Sequence, residues 1–426
     1  MNSLPTIKLY KAVILVADKI CGRKDSNIPY ISLEHLDSNC SNLKRHGLAI
    51  DSISTNNVFK EDDILLGKLR PQLRKCIQSK IQGYCSTDIL VFRPTNGASA
   101  QYLGHIFCSD IVFSEAIKRE EGTGMPRTSW AAIKDLDIFY PSYSEQYKIA
   151  EILTTVDNLI EQTEAAIAKY QAIKQGMMHD LFTRGMDANG QLRPPREEAP
   201  GLYKESELGW IPKEWAAKPL EQLLEGNPKN GYSPREVDEW QGIYMLGLGC
   251  LTPRGFKPIQ LKFAPINDRK ISSALLSDGD LLISRANTID LVGLVGIYKS
   301  IGEKCIYPDL MMRLKILPTI RSEFLEFTLQ HYATRRKLTC LSQGTSSSMV
   351  KINAVNVKKL TIPYPGIPEQ DSIIHALSSI LANIKSEYEK MQKYQTIKSG
   401  LMQDLLSGRV RVPTDATPRQ EPSHVS

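Results

Sequence analysis

Residues 174–185, KQGMMHDLFTRG, return in altered form as residues 398–409, KSGLMQDLLSGR, 224 positions later. The register is wider than these letters. It pairs Glu145-Gln146 with Glu369-Gln370, Ile149 with Ile373, Leu153 with Leu377, Tyr170 with Tyr394 and Lys174 with Lys398. It also pairs Gly176 with Gly400, Asp180 with Asp404 and Leu181 with Leu405. A register kept without a gap over about 37 residues is an internal repeat, and a repeat constrains a fold before any local pattern does.

The repeat has helical period. A 4-3 spacing from Ile149 selects Leu153, Val156, Ile160, Thr163, Ile167, Tyr170, Lys174, Met177 and Leu181. The second copy gives Ile373, Leu377, Ile380, Ile384, Glu387, Met391, Tyr394, Lys398, Leu401 and Leu405. Eight of ten positions are apolar in each copy, with the polar exceptions at the same two places, which is the seam of a coiled coil. Helix breakers precede both copies: YPSYSEQ supplies Ser142 or Ser144 as a cap, and YPGIPEQ supplies Pro368 for a first turn. Gly185 and Gly408 end them. Each helix is then about 54 Å long at about 1.5 Å per residue. A lone helix would expose its apolar stripe, so the two are expected to pack on each other antiparallel; the alternative is pairing in trans, in a dimer.

The segments before the helices repeat more faintly. EDDILLGKLRP (61–71) pairs with SDGDLLISRANT (277–288), and CSTDILVFRP (85–94) with CIYPDLMMRLK (305–315). EGTGMPRTSWAAIKDLDIFYP (121–141) pairs with QGTSSSMVKINAVNVKKLTIPYP (343–365). Short strands, turns and occasional helices imply a mixed α/β globule in each half. The fold class expected is α+β: two mixed globules separated by two long helices in an antiparallel coiled coil, with an internal pseudo-two-fold repeat. The boundaries are a first globule over 1–143, a helix over 144–185, a linker over 186–209, a second globule over 210–366, a helix over 367–408 and a polar tail over 409–426. The linker, rich in Pro, Gly and charge, is expected to be an exposed connection. One frame with two diverged heads implies two different recognition surfaces.

At 426 residues the chain is long enough for two or three domains, and 42% hydrophobic against 23% charged residues excludes global disorder. The net charge of +6 suits a polyanionic partner but is weak support alone. Eight cysteines without a CxxC pair imply reduced thiols and a cytoplasmic protein, and seven dispersed histidines give no metal spacing. AVILVA near the start is far too short to cross a membrane. Catalytic signatures are missing: there is no GxxxxGK[ST] loop, no HExxH pair and no GxSxG elbow. Pro194-Pro195 lacks the flanking residues of an amino-methyltransferase pocket, and Pro308-Asp309 lacks a nuclease-like acidic-x-Lys, so Asp309 reads as a strand-end residue. No helix-turn-helix or zinc finger is present.

The heads do carry polar and basic residues at matched places. Lys68 and Arg70 align with Arg285 and Asn287 just past the apolar strands. Arg127 and Thr128 align with Ser346 and Ser347, and KNGYSPRE (229–236) adds Tyr232 and Ser233. Arg and Asn can grip base edges bidentately, while Ser and Thr serve phosphates or either base. Solvated surface charge is the plain alternative for each one, and the paired placement is what favours DNA.

The pattern resembles the specificity (S) subunits of type I restriction–modification systems over nearly the whole chain. The motifs that carry the resemblance are the two Pro-x-x-x-Glu-Gln lead-ins (Pro141 to Gln146, Pro365 to Gln370) and the two K-x-G-(M/L)-M-x-D-L-(F/L) exits. LYKESELGWIPKEW adds Leu208, Gly209, Ile211, Pro212 and Trp215, similar to the family's approach to its second recognition domain. LPTIKLYKAV, at the start, has no such Trp. Gly122-Thr123 and Gly344-Thr345 are similar to the family's glycine turn before the last strand. The resemblance implies a non-catalytic prokaryotic subunit that binds double-stranded DNA through two target recognition domains, with no membrane association. It implies docking of two modification (M) subunits and of restriction (R) subunits through the repeated helices, here Glu145, Gln146, Tyr170, Lys174, Asp180, Leu181 and their second-copy partners Glu369, Gln370, Tyr394, Lys398, Asp404 and Leu405. S-adenosylmethionine, ATP and Mg are then expected on the partners, and none on this chain. Helices of ~54 Å correspond to roughly 15 base pairs, and the target is expected to be bipartite and asymmetric. The alternatives are a coiled-coil scaffold that binds no DNA and a self-sufficient DNA-modifying enzyme with an unrecognised site.

Overall fold

A computed structural model describes residues 4–21, 27–38, 43–52, 54–95, 97–122, 124–342 and 349–413. The chain divides into two units, one made of Met1–Ala166 with Glu387–Ser426, the other of Ile167–Ser386. The first unit places a four-stranded antiparallel sheet, in the order Val13–Leu15, Ile89–Pro94, Ile64–Gly67, Cys76–Gln78, beside a five-stranded sheet built on Asn56–Phe59 and Gly83–Ser86. Strand Ile64–Gly67 is covered on both faces. Ile64 and Leu66 enter the core with helix α1 (Ala100–Phe107), whereas Leu65 enters a second core with Ile31, Phe59 and Val91. Burial on both faces is why the strand is a continuous apolar run rather than an alternation.

The second head repeats this frame. Leu281–Ser284 pairs with Met311–Leu314 so that Ile283 faces Met312, as Leu66 faces Leu90 in the first. Leu281 and Ile283 enter one core and Leu282 another. The acidic turns correspond as well. Asp63 caps its turn through the Lys60 N–H and holds Arg93, while Asp280 accepts from the Ser277 N–H and from Arg313. The turn acids are therefore structural.

Two long helices complete the units: α2, Tyr143–Thr183, and α4, Ile367–Leu405, with α3, Ser322–Gln330, as the second head's counterpart of α1. Every position of the 4-3 seam is buried or half-buried in both long helices. In the first unit Ile149, Ala150 and Leu153 of α2 share a core with Leu405 and Leu406, and Lys398 of α4 pairs with Asp157 at 2.6 Å. In the second, Met178, Leu181 and Phe182 share a core with Ile373 and Leu377 of α4. The pairing is antiparallel in each unit and lies within the chain. Gly185 and Gly408 follow the helix ends with φ of +65° and +74°, the left-handed conformation that favours glycine there.

The connection is more ordered than its composition suggests. Met186 bridges Leu192, Tyr203–Ser206 pairs with Gly209–Pro212, and Arg193 is buried. A recognisable counterpart to the second head's first strand also exists without the tryptophan: Thr6–Lys8 pairs with Asp137–Phe139 as Ala216–Pro219 pairs with Thr361–Tyr364.

Candidate nucleic-acid interface

Past strand Ile64–Gly67 the chain turns sharply. Arg70 and Arg74 flank a turn at Pro71–Leu73 and both sit in the left-handed region, φ +48° and +51°. Such strain in non-glycine residues persists only where surrounding bonds impose it. Those bonds are present: the Arg70 N–H donates to the Pro126 carbonyl (2.7 Å), and the Thr128 N–H donates to the Lys68 carbonyl (2.9 Å). Leu69 and Arg127 face each other in an antiparallel bridge. The structure thus brings Lys68, Arg70, Arg127 and Thr128 to one place. Their side chains differ in fate. The Lys68 ammonium donates to the Thr87 carbonyl at 2.5 Å, and Thr128 is buried. Arg70 and Arg127 are exposed.

The second head uses the same bonds. The Lys68 N–H donates to the Asp88 carbonyl and the Arg285 N–H to the Leu310 carbonyl, each at 2.8 Å. The Arg285 guanidinium donates to the Asp309 carbonyl at 3.2 Å, one residue earlier, as Lys68 does to Thr87. The Ile352 N–H donates to the Arg285 carbonyl (2.8 Å), and Ala286-Asn287 pairs with Val350-Lys351 so that Ala286 faces Lys351. Lys351, not the serines, is therefore the counterpart of Arg127. Ser346 and Ser347, with Gly344-Thr345 and Thr123, lie outside the described residues. The helical register of 224 already pairs Arg127 with Lys351, whereas the Gly-Thr letters match at 222 and the pairing of Arg127 with Ser346 lies five residues off the helical register. Ser233 joins the site by bonding the Asp309 carboxylate and accepting its N–H at 3.1 Å. Tyr232 stands beside it, its hydroxyl on Asp268 at 2.6 Å, and the Asn287 Oδ1 accepts from the Thr288 N–H.

Residues 14–170 and 212–399 match the family model for the type I restriction modification DNA specificity domain. The chain belongs to that family. It is 26% identical over 419 residues to the type I restriction enzyme MjaVIII specificity subunit of Methanocaldococcus jannaschii, covering 95% of this chain and 90% of that protein. Against the EcoKI specificity subunit of Escherichia coli it is 22% identical over 337 residues, 78% of this chain and 69% of the other. The S subunit structure of a type I restriction-modification system from M. genitalium has the same fold, with a TM-score of 0.55 at 12% identity over 95% of this chain and 97% of that one. A chain from a structural study of assembly and conformational transition of the type I system gives 0.51 at 16%, over 96% and 100%. The chain is accordingly a DNA specificity protein of the type I restriction–modification class, α+β in fold with an antiparallel coiled coil.

The repeated residues of this specificity protein fall into inward and outward groups. Gln146 is fully buried: its Oε1 accepts from the Ser99 N–H that precedes α1 (2.9 Å), and its Nε2 donates to the Pro141 carbonyl (2.9 Å). Gln370 does the same with the Arg321 N–H before α3 (2.8 Å) and the Pro365 carbonyl (3.0 Å). Glu145 accepts two bonds from Arg411 and one from the Val412 N–H, and the guanidinium holds its carboxyl below the usual range. Glu369 accepts from Arg193 and the Met186 N–H. The two glutamines clasp head to helix and the two glutamates tie the helices to the tail and to the connection, so folding alone accounts for the repetition of all four. Leu181 and Leu405 are core residues, Asp180 pairs with Arg184, and Asp404 accepts the Val410 N–H on its carbonyl. Tyr170 and Tyr394 are half-buried on the seam.

The two seam lysines differ. Lys398 meets Asp157, whose other oxygen lies 3.9 Å from the His105 Nδ1. Burial lowers the Lys174 pKa, and Glu326 of α3 opposes it, its own carboxyl raised by burial to about 7. Among the described residues no three of His, Cys, Asp and Glu come together as metal ligands, and no helix is long and apolar enough to cross a membrane.

Proposed function

We propose that this chain reads a bipartite, asymmetric DNA target, one half with each head, and docks two modification subunits and the restriction subunits while catalysing no step itself. The observation that carries the reading is one backbone frame with two outward sets of side chains. Arg70 and Arg127 stand where the second head has Asn287 and Lys351. Phosphate contacts position a protein and base-edge contacts specify sequence, so the change from Arg70 to Asn287 implies different half-sites, while Arg127 and Lys351 keep a cation in both heads. Docking is supported on the helices by repeated residues that packing does not require. Ile173 and Ile397 are each 39% exposed, and a Cβ on Gly176 or Gly400 would meet nothing within 4 Å. The same letters kept twice on solvent-facing positions suit two copies of one partner. S-adenosylmethionine, ATP and Mg then belong to the partners.

The test is sequencing of methylated DNA from cells that express the chain with its cognate modification subunit. The expected outcome is adenine methylation at one two-part motif with unlike halves, absent without the chain, and no methyl transfer, ATPase or nuclease activity from the purified chain alone. Methylation unchanged by deleting the chain, or turnover by the pure chain, sinks the reading.

A further inference from the structure

Lys68 and Arg285 are the basic residues that the sequence pairs most directly, yet the cationic end of each already bonds a carbonyl of its own head. Each donates to the carbonyl just before the one that takes its own N–H. Such a side chain braces two strand connections and is poorly placed to leave for a ligand. One strand away the situation reverses. Thr128 and Ile352 point inward and are buried, and by the two-residue period of a strand Arg127 and Lys351 point outward. Both are exposed, and neither makes a side-chain hydrogen bond or ion pair among the described residues. Glu121, across the bridge from Arg127, exchanges backbone bonds with it and forms no ion pair among the described residues.

We propose that Arg127 and Lys351 are a matched pair of phosphate contacts, one in each recognition head, and that Lys68 and Arg285 are struts. This deepens the DNA-reading function above and rests on it. Phosphate rather than base is indicated by the exchange of Arg for Lys between the copies. A phosphate accepts either as a cation, whereas Lys does not reproduce the planar two-pronged fork with which Arg grips a base edge. The backbone on which they stand is rigid. Arg127 is held by the Leu69 bridge, with the neighbouring Arg70 N–H on Pro126, and Lys351 is held in the pairing with Ala286. Both sit two residues before the cap position of a short helix, Ser129 ahead of Trp130–Ile133 and Asn353 ahead of Ala354–Lys359.

The experiment uses the full chain assembled with its modification subunits and a duplex carrying the motif found by sequencing methylated DNA. Affinity is measured across a range of salt concentrations. Arg127→Gln and Lys351→Gln should each weaken binding and reduce the slope of log Kd against log salt by about one, with the methylated sequence unchanged. Arg127→Lys and Lys351→Arg should restore the slope. Lys68→Met and Arg285→Met should lower the melting temperature and leave the slope alone. Unchanged slopes in the two Gln variants, or loss of slope in the Met variants instead, overturn the assignment. A wild-type complex that does not prefer its motif over a scrambled duplex would instead overturn the DNA-reading function itself.

Discussion

Gln146 shows how a residue can be legible and its role hidden. Its repetition as Gln370 is plain in the sequence, as is that of the proline carbonyl each donates to, but the N–H each accepts is not repeated: Ser99 in one head, Arg321 in the other. The same holds for Glu145 and Glu369, whose arginines, Arg411 and Arg193, come from the tail and from the connection. A side chain's partner far along the chain leaves no local pattern, so repetition was open to a docking reading. The structure makes a sharper claim. Gln146→Leu leaves a buried N–H and a buried carbonyl unpaired, each costing about 1–3 kcal/mol. The melting temperature should fall by several degrees, with a comparable fall for Gln370→Leu. Melting curves that match the wild type would show that the clasp contributes nothing.

At the scale of elements, what periodicity encodes was legible and what tertiary context imposes was not. The long helices follow from the 4-3 seam and their glycine ends, and the central strands from apolar runs bounded by turns. The hairpins of 186–212 were not legible, because Pro, Gly and charge read as loop until the buried Arg193 is seen to tie them to Glu369. The Lys351 position was missed for a related reason: letter identity outweighed register. The seam itself gives a prediction. In α2, Ile149 and Leu153 on one side of Ala165-Ala166, and Ile167 and Leu181 on the other, use one face of the helix. Inserting two residues there turns the later stripe by about 200°, whereas four turn it by about 40°. The two-residue variant should express as insoluble or loosely folded protein, and the four-residue variant should remain folded. Equal solubility and equal melting for both would mean that the seam does not hold the helices.

On the scale of the whole molecule, one repeat makes two units that are alike in frame and unlike in their buried charges. The likeness was faintly legible because loop insertions shift the register, pairing Leu66 with Ile283 but Leu90 with Met312 and Ile149 with Ile373. The unlikeness has a consequence in acid. His105 in the first unit and His331 in the second are buried, and burial lowers each pKa to about 4. Around His105 stand Asp157, which raises it, and Lys398 and Lys80, which lower it further; His179 lowers His331. A histidine depressed in the fold contributes stability that is complete above its unfolded pKa near 6.5 and is lost as pH falls toward the folded value, on the order of 3 kcal/mol for a shift of this size. The second unit has an opposing group. Glu326 is raised by burial to about 7, so the folded unit takes up its proton before the unfolded chain does, and stability is gained as pH falls from 7 toward 4.5. Glu145 offers the first unit no such offset, since Arg411 lowers its pKa and its contribution is also lost in acid. The first unit should therefore lose protection before the second as pH drops from 7 to 5. Hydrogen exchange, corrected for the intrinsic rate at each pH, measures this directly: amides of Ile64–Gly67 and α1 should open earlier than those of Leu281–Ser284 and α3. His105→Gln should flatten the first unit's response and Glu326→Gln should steepen the second's. If the second unit opens first in the wild type, the assignment of these buried charges is wrong.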